Sequence, residues 1–216
     1  PALAAKVVAI KQYQQQRFVH TYGDLLASER YSGAARFFLD ELYGPVDFSE
    51  RDAQFARVVP ALGKLFPQDI VGTVDTLGEL HALSERLDTA MAHNLARPEV
   101  RAETYVEAWR ATGNRTARTK QIELTLRVGS ALERFTRKPL LRRALHMMRA
   151  PARAAGLGEL QRFLEAGFDT FQAMGGAREF LELVDHRERA LAEALFGDPA
   201  EPSTQRPTAL SLAQLP

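Results

Sequence analysis

The chain contains no cysteine. That excludes disulfides, thiolate nucleophiles and Cys-based zinc or iron–sulfur centres, and it fits a cytoplasmic protein. Long apolar runs are missing as well: no stretch approaches the ~18 residues of a membrane span. Period-two alternation is nearly absent, so no strand is expected and no dinucleotide fingerprint can follow one. A Gly-x-Ser-x-Gly elbow is absent. The stretch Gly72 to Gly78, GTVDTLG, has no Lys-Ser/Thr after it and is not a phosphate loop. Neither a His-Glu-x-x-His zinc motif nor the paired Glu-x-x-His of a di-iron bundle occurs. No nucleophile, metal or cofactor signature survives these exclusions.

What remains is a 216-residue chain, 45% apolar and 25% charged, the make-up of an ordinary globular protein with a sizeable core. The opening PALAAKVVAIKQYQQQ carries Lys6 inside its apolar stretch and reads as mature structure rather than a signal peptide. Helical periodicity dominates and predicts eight or nine helices. The first runs from about Ala2 to Arg30 with a bend near Gly23, and Ser32-Gly33 breaks it. A short helix follows over Ala34–Tyr43. A third starts at Ser49, and Pro60 kinks or ends it. Pro67 opens a long fourth helix to about Ala96, and Pro98 opens a fifth ending near Gly113-Asn114. The sixth spans Arg115 to Lys138, with Leu124, Val128, Ala131 and Phe135 as its stripe. Pro139 starts the seventh, which ends before Pro151 or slightly beyond. Leu157, Leu160, Leu164, Phe168 and Phe171 mark an eighth, and Gly175-Gly176 separates it from a ninth over Ala177–Phe196. Beyond residue 197, DPAEPSTQRPTALSLAQLP is Pro-rich and reads as a mobile tail over 198–216, whose Leu210, Leu212 and Leu215 are available to dock on a groove. The expected architecture is an all-α single-domain bundle over 1–197 with that tail.

The densest local information lies in Arg30 to Asp52, RYSGAARFFLDELYGPVDFSERD. Phe37, Phe38 and Leu42 share one helix face that Leu39 and Tyr43 widen, so this helix should be buried on most sides. Gly44-Pro45 ends it. Ser49 then caps the next helix with Asp52 three positions on. Asp52 falls on the stripe Phe48, Phe55, Val59, Leu62, Phe66 and is an acid on an apolar face. The run Phe37-Phe38-Leu39-Asp40-Glu41-Leu42-Tyr43 resembles a bacterial protein family known for an FFLEELY motif, with Asp40 in place of its Glu. The resemblance covers seven core residues and flanks of about twenty-five. It implies a bacterial protein and supplies no catalytic residue and no ligand.

Net charge is only +1, but it is unevenly spread. Residues 1–96 carry −3, residues 97–153 carry +9 and residues 154–216 carry −5. On the seventh helix Arg142, His146, Arg149 and Arg153 share a stripe, with Leu141, Leu145 and Met148 opposite. On the sixth, Lys120, Arg127 and Arg134 recur every seven residues. Arg134, Arg142, His146, Arg149 and Arg153 therefore form the candidate binding face, directed at an anionic partner: phosphates, anionic lipid or, as the expected partner, an acidic protein surface. The competing expectation is that the acidic ends of the chain neutralise these cations internally. A groove-reading element or interleaved aromatic residues would point to nucleic acid, and neither is present. A membrane-surface helix would need aromatic anchors that this one lacks.

Three further patterns bear on function. His81, Glu85 and Asp88 share a helix face, as do Glu179, Glu182 and His186, and both read as charged helix surface rather than a metal site. Glu188 sits on the apolar stripe Phe180, Val184, Leu191, Leu195. Like Asp52 it must find a cation or raise its pKa, with Arg30, Arg36, Arg51 and Arg187 as candidate partners. The twelve Phe residues admit a cavity for an acyl chain or planar cofactor, with His81 or His93 available to haem, although an ordinary core also explains them. The functional expectation is a non-enzymatic interaction or regulatory protein that needs no cofactor. The alternative is a carrier or sensor of an apolar small molecule. A homo-oligomer stays open on this reading.

Overall fold

A computed structural model describes residues 2–42, 67–138, 140–197 and 215–216. The described residues form nine helices and no strand: α1 (Ala2–Thr21), α2 (Gly23–Ala27), α3 (Ser32–Glu41), α4 (Gln68–His93), α5 (Ala102–Thr112), α6 (Arg115–Thr136), α7 (Leu141–Ala154), α8 (Gly158–Met174) and α9 (Arg178–Phe196). No described helix is long and apolar enough to cross a membrane. The helix expected from Ser49, and with it Asp52 and Tyr43, lies outside the described residues, as does the Pro-rich stretch 198–214.

Some boundaries follow from local chemistry. Between α5 and α6 the chain turns through Gly113 and Asn114, both at φ 63°, and the Asn114 side chain accepts from the Ala117 N–H at 3.1 Å as the cap of α6. Pro151 lies inside α7. The helix continues three residues past it and closes on Gly156 at φ 74°, where Leu157 N–H reaches Ala152 O at 2.7 Å and Gly156 N–H reaches Arg153 O at 3.0 Å. That bond pair is a Schellman closure, and glycine takes its left-handed position without a Cβ clash.

Two expected boundaries are corrected. Ser32-Gly33 do not break a helix; they open α3, and the break falls at Ser28, whose ψ of 131° is extended. Pro98 does not open α5. That helix starts at Ala102, where the Arg101 N–H donates to Thr104 Oγ1 at 3.0 Å in a capping box.

α6 is central. It packs against α4, α8 and α9 and touches α7. The stripes on α6, α8 and α9 are all buried, from Leu124 to Phe135, Leu160 to Phe171 and Phe180 to Leu195. The motif helix α3 packs along α8 and reaches α9 through Phe38. Phe38 meets Phe180 edge-on at 5.2 Å, and Phe37 meets Phe163 at 5.1 Å. Both rings need glycines opposite them. A Cβ on Gly129 of α6 would lie 3.2 Å from Phe38 Cζ and 2.6 Å from Leu181 Cδ2, and one on Gly167 of α8 would lie 3.2 Å from Phe37 Cζ and 2.8 Å from Leu132 Cδ2. Leu42 is half-buried rather than buried, packing against both the main cluster and a smaller one around Leu80, Leu83 and Leu87. A separate cluster around Ile10, Tyr13, Met91 and Trp109 closes the other part of the bundle, and Leu215 packs against it.

Candidate functional site

The largest departure from an ordinary core is a charged cluster where α1, α4, α5, α6 and α9 converge. Helical spacing puts Lys11, Gln14 and Arg17 on one face of α1, and Ser84, Glu85 and Asp88 on one face of α4. These faces meet Arg118 and Gln121 of α6, Trp109 of α5 and Glu188 of α9 around a space of about 70 Å³. Such a volume holds a few waters and not an acyl chain. The Arg17 guanidinium donates to Glu188 Oε1 at 2.5 Å, and the Tyr22 hydroxyl donates to the same oxygen at 2.8 Å. Lys11 pairs with Glu85, and Gln14 Nε2 donates to Asp88 Oδ1 at 2.9 Å. Arg118 lies 3.8 Å over the Trp109 ring and donates to Gln121 Oε1 at 3.1 Å, while Gln121 in turn donates to Ser84 Oγ at 2.8 Å. Burial dominates the acid–base behaviour: it pushes the Asp88 carboxyl up to about 6 against the partial opposition of Arg118 and the Gln14 bond, and the Tyr13 hydroxyl up to about 12.

Glu188 therefore has its cation, but not one of the expected four. Its partner is Arg17, 171 positions away. Of those four, Arg187 binds Asp24 with two bonds of 2.7 Å, and Arg30 binds Glu179 at 2.9 Å. The two candidate metal faces are likewise engaged by protein groups. Glu85 and Asp88 face Lys11 and Gln14, Glu179 faces Arg30 and Tyr31, and Glu182 faces Arg178 at 3.8 Å. His81 is buried beside the charged cluster, whereas His93 is exposed. Among the twelve Phe residues, Phe18, Phe37, Phe38, Phe135, Phe163, Phe168, Phe171 and Phe180 are buried together in the main core.

The expected basic face is divided. Arg142 donates to Asp169 Oδ1 at 3.0 Å, and Arg149 clamps Glu165 through Nε at 2.8 Å and Nη2 at 2.6 Å. Gln161 braces the same carboxylate at 2.7 Å, and the Arg149 bonds hold the Glu165 carboxyl below its ordinary range. Both acids come from α8, so α7 is tied to its neighbour through one flank. His146 and Arg153 stand exposed. Arg134 does not belong to this face: it lines a groove between α4 and α6 with Arg127.

Sequence reasoning missed three residues of the outward side of α7. Leu140 is 71% exposed and Met147 73% exposed, and Arg143 stands between them. With Arg142 and His146 they line one solvent-open side of α7. The signal was available: Leu140, Arg143 and Met147 are spaced i, i+3, i+7, a third face between the buried leucines and the paired arginines. α7 holds four arginines and one histidine and no acid.

A family model described as Domain of unknown function (DUF8198) matches residues 1–202. No curated protein matches the chain, and no solved structure does.

Proposed function

The chain belongs to the DUF8198 family, and from that premise we propose that it is a non-enzymatic interaction module which holds an acidic partner protein against the outer face of α7. The observation that carries the reading is the pairing of exposed apolar anchors with uncompensated cation: Leu140 and Met147 flank Arg143, which makes no ion pair with any described residue. Met and Arg are enriched in interface centres because they combine adaptable apolar contact with a directional charge. Arg142 and Arg149 contribute less to a partner, since Asp169 and Glu165 already occupy them. Their role in this reading is to fix α7 on α8 so that the outer face is presented rigidly. The Phe-filled core and the small polar space favour an interaction role over carriage of an acyl chain. A bacterial cytoplasmic setting belongs to the same reading.

A photo-crosslinking residue at Met147, in cells that make the protein, tests the proposal. It should trap one dominant acidic protein, and Arg143→Glu should abolish the adduct without changing the melt. In a lysate of the same cells, trapping should weaken as salt is added, since the Debye length falls from about 10 Å at 0.1 M to about 3 Å at 1 M. A crosslinker at Val8 of α1, which is also exposed, should trap nothing. An adduct insensitive to Arg143→Glu would overturn the reading.

A further inference from the structure

The sequence pattern at Arg127 and Arg134 is not absorbed by the α7 surface. These residues lie seven positions apart on α6, about 10 Å along the axis at 1.5 Å per residue, with Ser130 between them on the same face. Together they form one wall of a groove of about 320 Å³; Asp69, Gly72, Thr73 and Thr76 of α4 form the other. That volume is at the lower end of small-ligand sites, roughly 300–1,000 Å³.

Each wall has a distinct chemistry. Both guanidiniums are exposed, and neither makes an ion pair with a described residue. The nearby Glu79 is bonded by Lys120, and the lining acid Asp69 is bonded by Lys138. The groove is therefore cationic although it contains a carboxylate. On the α4 side, Thr73 Oγ1 already donates to Asp69 O and Thr76 Oγ1 to Gly72 O, each at 2.8 Å. Their hydrogens are spent, so toward a ligand these oxygens act as acceptors. Gly72 has no atom within 4 Å of where a Cβ would sit, which keeps this wall open. No aromatic residue is among the described lining, so nothing offers a ring for a base to stack on.

We propose that this groove binds a phosphorylated sugar or polyol, the phosphoryl group held by Arg127 and Arg134 around the Ser130 hydroxyl and the ligand hydroxyls donating to Thr73 and Thr76. Guanidinium forks match phosphate oxygens bidentately, while the acceptor wall selects a ligand rich in hydroxyl donors. The site is separate from α7 and does not depend on the partner proposed there.

Isothermal titration of the full chain with ribose 5-phosphate, inorganic phosphate, ribose and adenosine 5′-monophosphate tests it. Ribose 5-phosphate should bind, phosphate about tenfold more weakly, and ribose not detectably. The nucleotide should gain nothing over ribose 5-phosphate, having no stacking partner. Arg127→Gln with Arg134→Gln should lower affinity for ribose 5-phosphate by at least about tenfold, the order expected for losing charge-assisted bonds. Gly72→Leu should block the groove while leaving both arginines in place and the melt intact. The proposal is overturned if ribose 5-phosphate does not bind, if binding survives either change, or if phosphate alone binds as well as the sugar phosphate.

Discussion

Replacing Phe38 with alanine tests how the motif helix is locked into the bundle. The ring is 0% exposed, edge-on to Phe180 at 5.2 Å and stacked with Phe171 at 6.3 Å. Truncating a buried Phe costs about 3–5 kcal/mol, transfer free energy plus the cavity left behind. At roughly 2–4 °C per kcal/mol for a chain of this size, Tm should fall by about 6–20 °C. The cost should also be coupled to Gly129. Gly129→Ala alone places a Cβ 2.6 Å from Leu181 Cδ2 and 3.2 Å from Phe38 Cζ. That overpacking costs about 1–3 kcal/mol, against a helix-propensity gain near 1 kcal/mol. In the Phe38→Ala background the ring is gone and Leu181 can swing into the space. The second substitution should then be tolerated, giving a coupling above about 0.5 kcal/mol. Denaturant titration followed by far-UV circular dichroism on the four proteins measures it. A Phe38→Ala loss below about 1 kcal/mol, or two effects that simply add, would refute this account of the core.

The buried Asp88 makes stability pH-dependent. Its folded pKa of about 6 lies above the ~3.9 of an unfolded chain, so its contribution is fully present below the unfolded value and lost as pH rises through about 6. The span corresponds to ~3 kcal/mol, and Asp88→Asn should flatten the slope between pH 4 and 7 in parallel urea melts; an unchanged slope rejects the assignment. The Arg17–Glu188 pair should show strong coupling. Glu188→Leu should cost about 3–5 kcal/mol by removing the carboxylate that Arg17 and Tyr22 share, and adding Arg17→Met should recover part of that loss. If the double variant is less stable than the single, the pair is not the unit of stability described here.

Periodicity alone determined the fold class and most helices, because an apolar stripe at 3.6-residue spacing reports which side of a helix will be covered. The stripes on α6, α8 and α9 are buried as read, including the acid Glu188 within one of them. Local turn chemistry also placed the ends of α5 at Gly113-Asn114 and of α8 at Gly175. Sequence was weaker where a boundary depends on competing caps, as at Ser28 and Arg101.

What only the tertiary structure decided is which charges meet. Arg17 and Glu188 lie at opposite ends of the chain, and nothing local to either names the other. A net +9 over residues 97–153 counts cations but not their neighbours. Packing α8 on α7 gave Arg142 and Arg149 to Asp169 and Glu165, left Arg143 facing outward, and moved Arg134 to the groove between α4 and α6. Helical spacing records the direction in which a side chain leaves its own axis; the identity of what it reaches is a property of the neighbouring axis, which is set by how the whole core packs.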